Sequence, residues 1–354
     1  MSFRPDLAGR RLLVTGGAGF IGSAFVRVAL AAGAGRVVVL DALTYAAQRE
    51  SLDGPDRDER FAFRVGDVRR SEDCAAALAA AEPDWVVHLA AESHVDRSIE
   101  RPAPFLETNV LGTAVLLEAC LRWAEQAGRE PPLLIHSSTD EVFGDLPEGV
   151  RATEDSPYRP GSPYAAAKAA ADHLVRAWGR TYGLRWRITH SGNNYGPRQF
   201  PEKLIPLALL RALAGEPAPL YGDGGQIRDW IHVEDHARAI LAAGLADGGG
   251  RAFCVGAGEE RTNTELLGLL AEALPAGTPP LRIEHVADRP GHDRRYALDP
   301  SRLIRETGWR PTRGLAEGLA ETVRWYRENP EWIARARARS GYRGERLGLG
   351  LRRP

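Results

Sequence analysis

Lysine is almost missing from this 354-residue chain: of 46 basic residues, 44 are arginine and only Lys168 and Lys203 are lysine. Arginine serves wherever a surface cation is enough. A lysine that survives such a bias is a candidate for a task arginine cannot do, one that needs a compact ammonium with a shiftable pKa. Met1 is the sole methionine, and the three cysteines (Cys74, Cys120, Cys254) are far apart and form no CxxC pair. That set excludes a disulfide framework and a zinc site, and it fits a reducing cytoplasm. No continuous apolar run approaches the roughly 18 residues that cross a bilayer. No apolar signal segment precedes the first strand-like stretch at Arg11, so the expectation is a cytoplasmic protein with no membrane partner. A formal net charge of −1 gives no global pull toward nucleic acid. Core material is ample: 44% hydrophobic and 26% charged residues exclude a disordered or fibrous chain. The length suits one large domain or two.

Apolar, β-branched runs at 11–15, 36–40, 61–65, 85–89 and 133–138 alternate with alanine- and leucine-rich stretches at 23–32, 74–81 and 108–127. A long helical pattern follows over 163–182, then another strand at 186–190. Fully apolar strands separated by helices predict a parallel sheet covered on both faces. After Asn193 glycine and proline become frequent, which predicts a smaller lobe over the carboxyl edge of the sheet, where open α/β sheets bind ligands. The tail from Ala334 is rich in arginine and glycine and predicts a frayed, solvated end. No internal repeat is present.

The segment RLLVTGGAGFIGSAFVRVAL predicts strand, glycine turn and helix, with Gly16, Gly19 and Gly22 spaced by three. Glycine is needed where backbone turns tightly and approaches a pyrophosphate whose charge sits at a helix N-terminus. Asp41 ends the next strand 19 residues after Gly22. A carboxylate there binds a ribose diol and repels a 2′-phosphate, which favours NAD over NADP. The fold class expected is therefore α/β, a Rossmann-type doubly wound parallel sheet with a smaller α/β substrate-binding lobe. Asp67-Val68, after the third strand, is either an adenine contact or a turn cap.

Tyr164 and Lys168 are four apart, on one face of the predicted helix. Using a tyrosine as a base near pH 7 means lowering its pKa by about three units, which a neighbouring ammonium and a cationic nicotinamide supply. The fifth strand runs into Thr139-Asp140-Glu141. Adjacent strand residues face opposite ways, so the two carboxyl groups converge on one substrate only if the chain has already left the strand. Such a pair splits its pKa values into an acid and a base; the alternative is that one of them merely caps a turn. His232 and His236, at i and i+4, lack a third metal ligand and read as helix-surface residues.

Seven segments, in order, resemble the dTDP-glucose 4,6-dehydratases of the extended short-chain dehydrogenase/reductases: TGGAGFIGS, LAAESHVDRSI, SSTDEVFGD, SPYAAAK, NNYGPRQFPEKLIP, GDGGQIRDWIHVEDHARA and ADRPGHDRRYALD. The resemblance spans roughly residues 10 to 330. It implies that Tyr164 removes the C4 hydroxyl proton of a nucleotide-linked glucose while NAD takes hydride. Glu141 then abstracts the C5 proton, and Asp140 protonates the departing C6 hydroxyl. Thr139 binds near O4, with Lys168 beside the tyrosine. Cofactor positions implied are Gly16, Gly19, Phe20, Ile21, Gly22, Asp41, Thr44, Asp67, Val68, Leu89, Ala91, Ser93, Thr108, Tyr164, Lys168 and Asn194. Substrate positions implied are Ser93, Thr139, Asn193, Lys203, Leu204, Pro219, Tyr221, Arg228, Asn263, Arg289 and His292. No metal is implied.

The resemblance also implies a homodimer joined through a four-helix bundle of the helices at 103–127 and 163–182. The expected division is 1–192 with about 230–260 as the NAD-binding domain, about 193–229 with 261–333 as the nucleotide-sugar lobe, and 334–354 as the tail. Phe143, Gly161, Gly192, Arg198 and Gln199 depart from the usual pattern, and none removes a catalytic group. The rivals are a nucleotide-sugar 4-epimerase or decarboxylase, which do not need the Asp140–Glu141 pair, and a silent NAD-sensing protein.

Overall fold

The computed structural model describes residue 3, residues 5–340 and residue 342. Its first half builds β1 (Arg11–Thr15), β2 (Arg36–Asp41), β3 (Phe61–Val65), β4 (Trp85–His88), β5 (Leu133–Thr139) and β6 (Trp186–Ser191). Then come β7 (Asn193–Tyr195), β8 (Ala218–Tyr221), β9 (Ile227–His232), β10 (Arg251–Val255), β11 (Glu260–Thr262) and β12 (Ile283–Val286). Seven of them form one parallel sheet in the order β10-β6-β5-β4-β1-β2-β3. The strand order reverses between β1 and β4, and that switch point opens a crevice at the carboxyl ends of the strands.

Alternate residues of each strand feed two separate cores. Leu12, Val14, Val37, Val39, Val87 and Ile135 pack with helices Phe20–Ala31 and Val233–Leu245 on one face. Leu13, Val38, Val86, Leu134 and Ile188 pack with helices Ser71–Ala81, Gly112–Ala127 and Pro163–Tyr182 on the other. This is why the strands read as unbroken apolar runs. The exception is β3, an edge strand whose last residue, Val65, is 69% exposed.

A second region carries the three-stranded sheet β11-β9-β7, the parallel pair β12-β8, and its own core around Phe200, Leu209, Trp230, Leu266 and Leu319. The helix Pro330–Ser340 joins that core through Trp332, Ile333 and Ala336, and Tyr342 is buried beyond it. The frayed end expected from Ala334 is thus packed through Ser340. An apolar stripe at i, i+1 and i+4 sits among the arginines that dominate the composition. Residues 343–354 lie outside the described residues.

Among the described residues one helix, Ala103–Ala127, is long and apolar enough by length and composition to match a bilayer. No continuous run shows this, because Glu107, Asn109 and Glu118 interrupt it. It packs against the sheet through Leu116, Leu117 and Cys120. A π turn at Leu106–Leu111 bends its start. There Asn109 accepts from the Glu92 amide at 2.9 Å and donates to the Glu92 carbonyl at 3.0 Å, pinning the loop after β4.

Arginine also does structural work here. The Arg187 guanidinium, buried between β6 and the turn before β10, places its donors on five carbonyls: Trp186, Ala243, Ala246, Gly248 and Gly249, at 2.6 to 3.0 Å. A guanidinium has five N–H donors and an ammonium three. Arg187→Lys is therefore expected to lower the unfolding free energy by about 2 kcal/mol or more, read by chemical denaturation. An unchanged midpoint contradicts this account.

Candidate functional site

The crevice at the switch point is a cleft of about 350 Å3. Its floor is the turn between β1 and helix Phe20–Ala31. Gly16 has φ +72°, and a Cβ there would meet the Ala90 amide at 2.5 Å. A Cβ on Gly22 would lie 2.1 Å from the Gly16 carbonyl. The turn is thus a cradle that a side chain would fill, opening at a helix N-terminus, and it suits a dinucleotide pyrophosphate. Asp41, at the end of β2, accepts from the Ala18 amide at 2.9 Å and the Leu43 amide at 2.8 Å. Burial nevertheless pushes its carboxyl above the usual range. Two carboxylate oxygens keep lone pairs for a ribose diol after those two bonds.

All sixteen residues matched to cofactor positions line this cleft: Gly16, Gly19, Phe20, Ile21, Gly22, Asp41, Thr44, Asp67, Val68, Leu89, Ala91, Ser93, Thr108, Tyr164, Lys168 and Asn194. Asp67 does two things there. It lines the cleft, and it also caps its own turn, accepting from the Arg69 amide at 2.9 Å, with the Arg69 side chain holding its pKa down.

The reactive end lies where β5 stops. Thr139 closes the strand and Asp140–Phe143 turns into a 3-10 helix, so the chain has left the strand before the two carboxyl groups. Thr139 caps that turn, its Oγ1 accepting from the Glu141 amide at 3.3 Å and donating to Asp140 Oδ1 at 3.1 Å. Burial, reinforced by the Glu141 charge, pushes Asp140 up to about 8. Burial also raises Glu141, but the cations of Arg289, Arg228 and Lys203 oppose the shift. The pair is therefore split by its surroundings into a carboxyl group that keeps its proton and one that cations help to ionise.

Tyr164 and Lys168 sit on the inner face of helix Pro163–Tyr182 and line the same cleft. Burial and the Glu141 charge raise the Tyr164 pKa, and a hydrogen bond from Thr139 lowers it. The lowering expected from an ammonium and a cationic nicotinamide together is not produced by the protein's groups alone. The protein's own groups leave the phenol protonated, and a cation bound in the cleft has to supply the rest. Lys168 Nζ donates to the Ser137 carbonyl at 2.6 Å and meets His136 Nε2 at 3.2 Å. Burial lowers its pKa to about 8, against the attraction of Asp172.

Of the residues matched to substrate positions, Ser93, Thr139, Asn193 and Lys203 line the cleft, and Lys203 Nζ donates to the Ser93 carbonyl at 3.0 Å. Leu204, Pro219, Tyr221, Arg228, Asn263, Arg289 and His292 lie beyond it in the second region. Two of these are tied to the reactive end. Arg289 and Arg228 are the leading cations acting on Glu141. Arg289 also donates to Asp96 at 2.9 Å, and Tyr221 donates to the other oxygen of Asp96 at 2.7 Å. The Nε of Arg289 is a buried donor with no partner among the described residues, which suits an anionic ligand.

Some functional neighbours escaped sequence reasoning. Asp172, buried four residues after Lys168, accepts from Ser138 at 2.8 Å and Tyr158 at 2.9 Å and meets His190 at 3.1 Å. Its i+4 spacing from Lys168 was a usable signal. Glu202, which lines the cleft, accepts from Tyr45 at 3.0 Å and Arg97 at 3.2 Å. Nothing in its local sequence marks it. The histidines read as helix-surface residues are buried instead. His232 caps helix Val233–Leu245, and His236 Nδ1 meets Asn194 Oδ1 at 2.9 Å. No metal-holding cluster occurs among the described residues.

The GDP-mannose 4,6 dehydratase family model matches residues 13–322. The dTDP-glucose 4,6-dehydratase of Salmonella typhimurium strain LT2 is 46% identical, over 91% of this chain and 94% of its own. The enzyme of the same name from Neisseria gonorrhoeae is 49% identical, over 90% of this chain and 96% of its own. The crystal structure of the Streptomyces venezuelae dTDP-glucose 4,6-dehydratase DesIV with NAD and TYD bound superposes with a TM-score of 0.86. It is 49% identical and covers 92% of this chain and 99% of that one. A UDP-glucose 4-epimerase of Thermus thermophilus, in complex with NAD, has a TM-score of 0.80 at 40% identity, over 90% and 99% of the two chains. With such identity over most of its length, this chain belongs to the dTDP-glucose 4,6-dehydratase family.

Proposed function

We propose that this chain is an NAD-dependent hydro-lyase that converts dTDP-glucose to dTDP-4-keto-6-deoxyglucose. The observation that carries the reading is the buried Asp140–Glu141 pair, split in pKa and placed in one cleft with Tyr164 and Lys168. A 4-epimerase needs the tyrosine and lysine but no acid and base for elimination.

The residues that would hold NAD are the glycine turn, Asp41 and the other cleft residues named above; bound there, it would supply the hydride chemistry at C4 and C6. Tyr164 accepts the C4 hydroxyl proton, and the Lys168 ammonium, fixed by the Ser137 carbonyl, favours the phenolate. The resulting 4-ketone acidifies C5, and Glu141, kept ionisable by Arg289, Arg228 and Lys203, takes the C5 proton. Asp140 still holds its proton at neutral pH and gives it to the departing C6 hydroxyl. Arg228, Arg289 and Lys203 also suit a diphosphate, and a guanidinium fork binds phosphate bidentately.

We further infer the division of labour set out from the sequence, with 1–192 and about 230–260 serving the cofactor, about 193–229 and 261–333 serving the nucleotide sugar, and 334–354 as the tail. The three thiols are free and buried, which supports a cytoplasmic setting. A homodimer through helices Ala103–Ala127 and Pro163–Tyr182 is supported by two large apolar side chains on the first of them, Leu106 and Leu111, 49% and 60% exposed.

Purified protein given dTDP-glucose is expected to form a product lighter by one water, with the alkaline ultraviolet absorbance of a 4-keto sugar. Glu141→Gln is expected to slow that product about 100-fold or more while still reducing bound cofactor. Galactose as product, or an unimpaired variant, sinks the reading. A second expectation concerns stability. The folded chain keeps the Asp140 proton to about pH 8, against 3.8 without the fold, so Asp140 costs stability as pH rises through that window. The melting advantage of Asp140→Asn over wild type should grow as pH rises from 5 to 9; a difference that does not change with pH refutes the burial of an ionising group. Leu111→Glu should convert a dimer to monomers in sedimentation, and an undisturbed dimer would place the interface elsewhere.

A further inference from the structure

We propose that the Thr139 hydroxyl is a proton relay that carries the proton collected by Tyr164 to Asp140 between turnovers. The inference rests on the proposed dehydratase reaction, whose protons do not return to their donors unaided. At C4 the substrate loses a hydride and a proton, and that proton stays on Tyr164 because the product keeps its ketone. Glu141 takes the C5 proton and restores it to C5 when hydride adds at C6, so Glu141 finishes as it began. Asp140 gives its proton to the C6 hydroxyl, which leaves as water. Substrate and product differ by that water alone. After one turnover Tyr164 therefore holds one proton too many and Asp140 one too few.

The structure provides one short path between them. Thr139 and Tyr164 line the same cleft, with the Thr139 side chain close enough to act on the phenol, and Thr139 Oγ1 donates to Asp140 Oδ1 at 3.1 Å. The Glu141 amide, 3.3 Å from the same Oγ1, leaves that hydroxyl its proton for Asp140. The second Asp140 oxygen is buried and has no partner among the described residues, so no other polar contact feeds this carboxyl group. Lys168 leads the other way, to His136 and the buried Asp172. In the relay the Tyr164 O–H bond breaks as its proton bonds to Thr139 Oγ1, while the Thr139 O–H bond breaks and a new one forms on Asp140 Oδ1. No electrons change hands. The direction would follow from charge: a cationic nicotinamide held in the cleft would favour the phenolate, which the protein's own groups alone do not.

Rapid-quench kinetics on the holoenzyme with dTDP-glucose tests the relay against a mere contact to substrate O4. Loss of a contact slows the first and later turnovers alike. Thr139→Val should instead give a burst of about one product per site, followed by a steady state at least about tenfold slower. That slow phase should quicken as the concentration of a small buffer acid and base is raised. Thr139→Ser, which keeps a hydroxyl, should show neither burst nor buffer dependence. Ultraviolet titration of the substrate-free protein adds a reading without turnover: Thr139→Val should raise the phenolate midpoint of Tyr164, and Thr139→Ser should not. No burst in Thr139→Val, equal midpoints, or a wild-type steady-state rate that rises with buffer each overturns the relay. If wild type forms no 4-keto-6-deoxy product even in a single turnover, the dehydratase reading itself fails.

Discussion

Asp140 and Glu141 are adjacent in the chain and lie where too little water reaches to ionise both. Solvent does not stabilise a carboxylate there, and each raises the cost of charging the other. The tie is broken by position. Three cations, Arg289, Arg228 and Lys203, oppose the rise at Glu141, whereas at Asp140 the Glu141 charge adds to burial and Arg228 is the one cation that opposes it. The same chemical group is thus held to its proton at 140 and helped to ionise at 141. Everything around them serves to keep that place dry and those cations near.

The scaffold meets this demand by ending a strand. While β5 lasts, successive side chains belong to opposite cores, and a carboxyl group in either would be lost to the chemistry. Thr139 stops the strand and caps the following turn, so both carboxyl groups swing toward the cleft. The parallel sheet puts the carboxyl ends of β1, β2, β4 and β5 at one rim. Glycine turn, Asp41, the Glu92 loop and the acid–base pair thus share a cleft although more than a hundred residues separate the first from the last.

Beside Tyr164 lies a second polar cluster. Lys168 is buried, and an isolated ammonium would tend to shed its proton there. Asp172, one helical turn on, counters that tendency. Burial works against the Asp172 charge too, and His190, Lys168 and Ser138 hold it ionised. This gives a physical reason why a chain that uses arginine almost everywhere keeps a lysine at 168: burial draws an ammonium's pKa down to about 8, which a guanidinium resists.

The strands, the glycine turn, the Tyr164–Lys168 face and the carboxyl pair were legible in the linear chain, because periodicity and short spacings record local geometry directly. The errors share a cause. His232 and His236 looked solvated and the arginine-rich end looked frayed because spacing does not say which side of a helix meets another element. Asp96, Glu202 and the roles of Arg228 and Arg289 stayed hidden since their partners lie far away in sequence. Local order is written in neighbouring residues and could be read from them alone. Which groups lose their water, and which distant charges then decide their protonation, was settled only when the chain folded, for desolvation and Coulomb attraction depend on distance in space and not along the backbone.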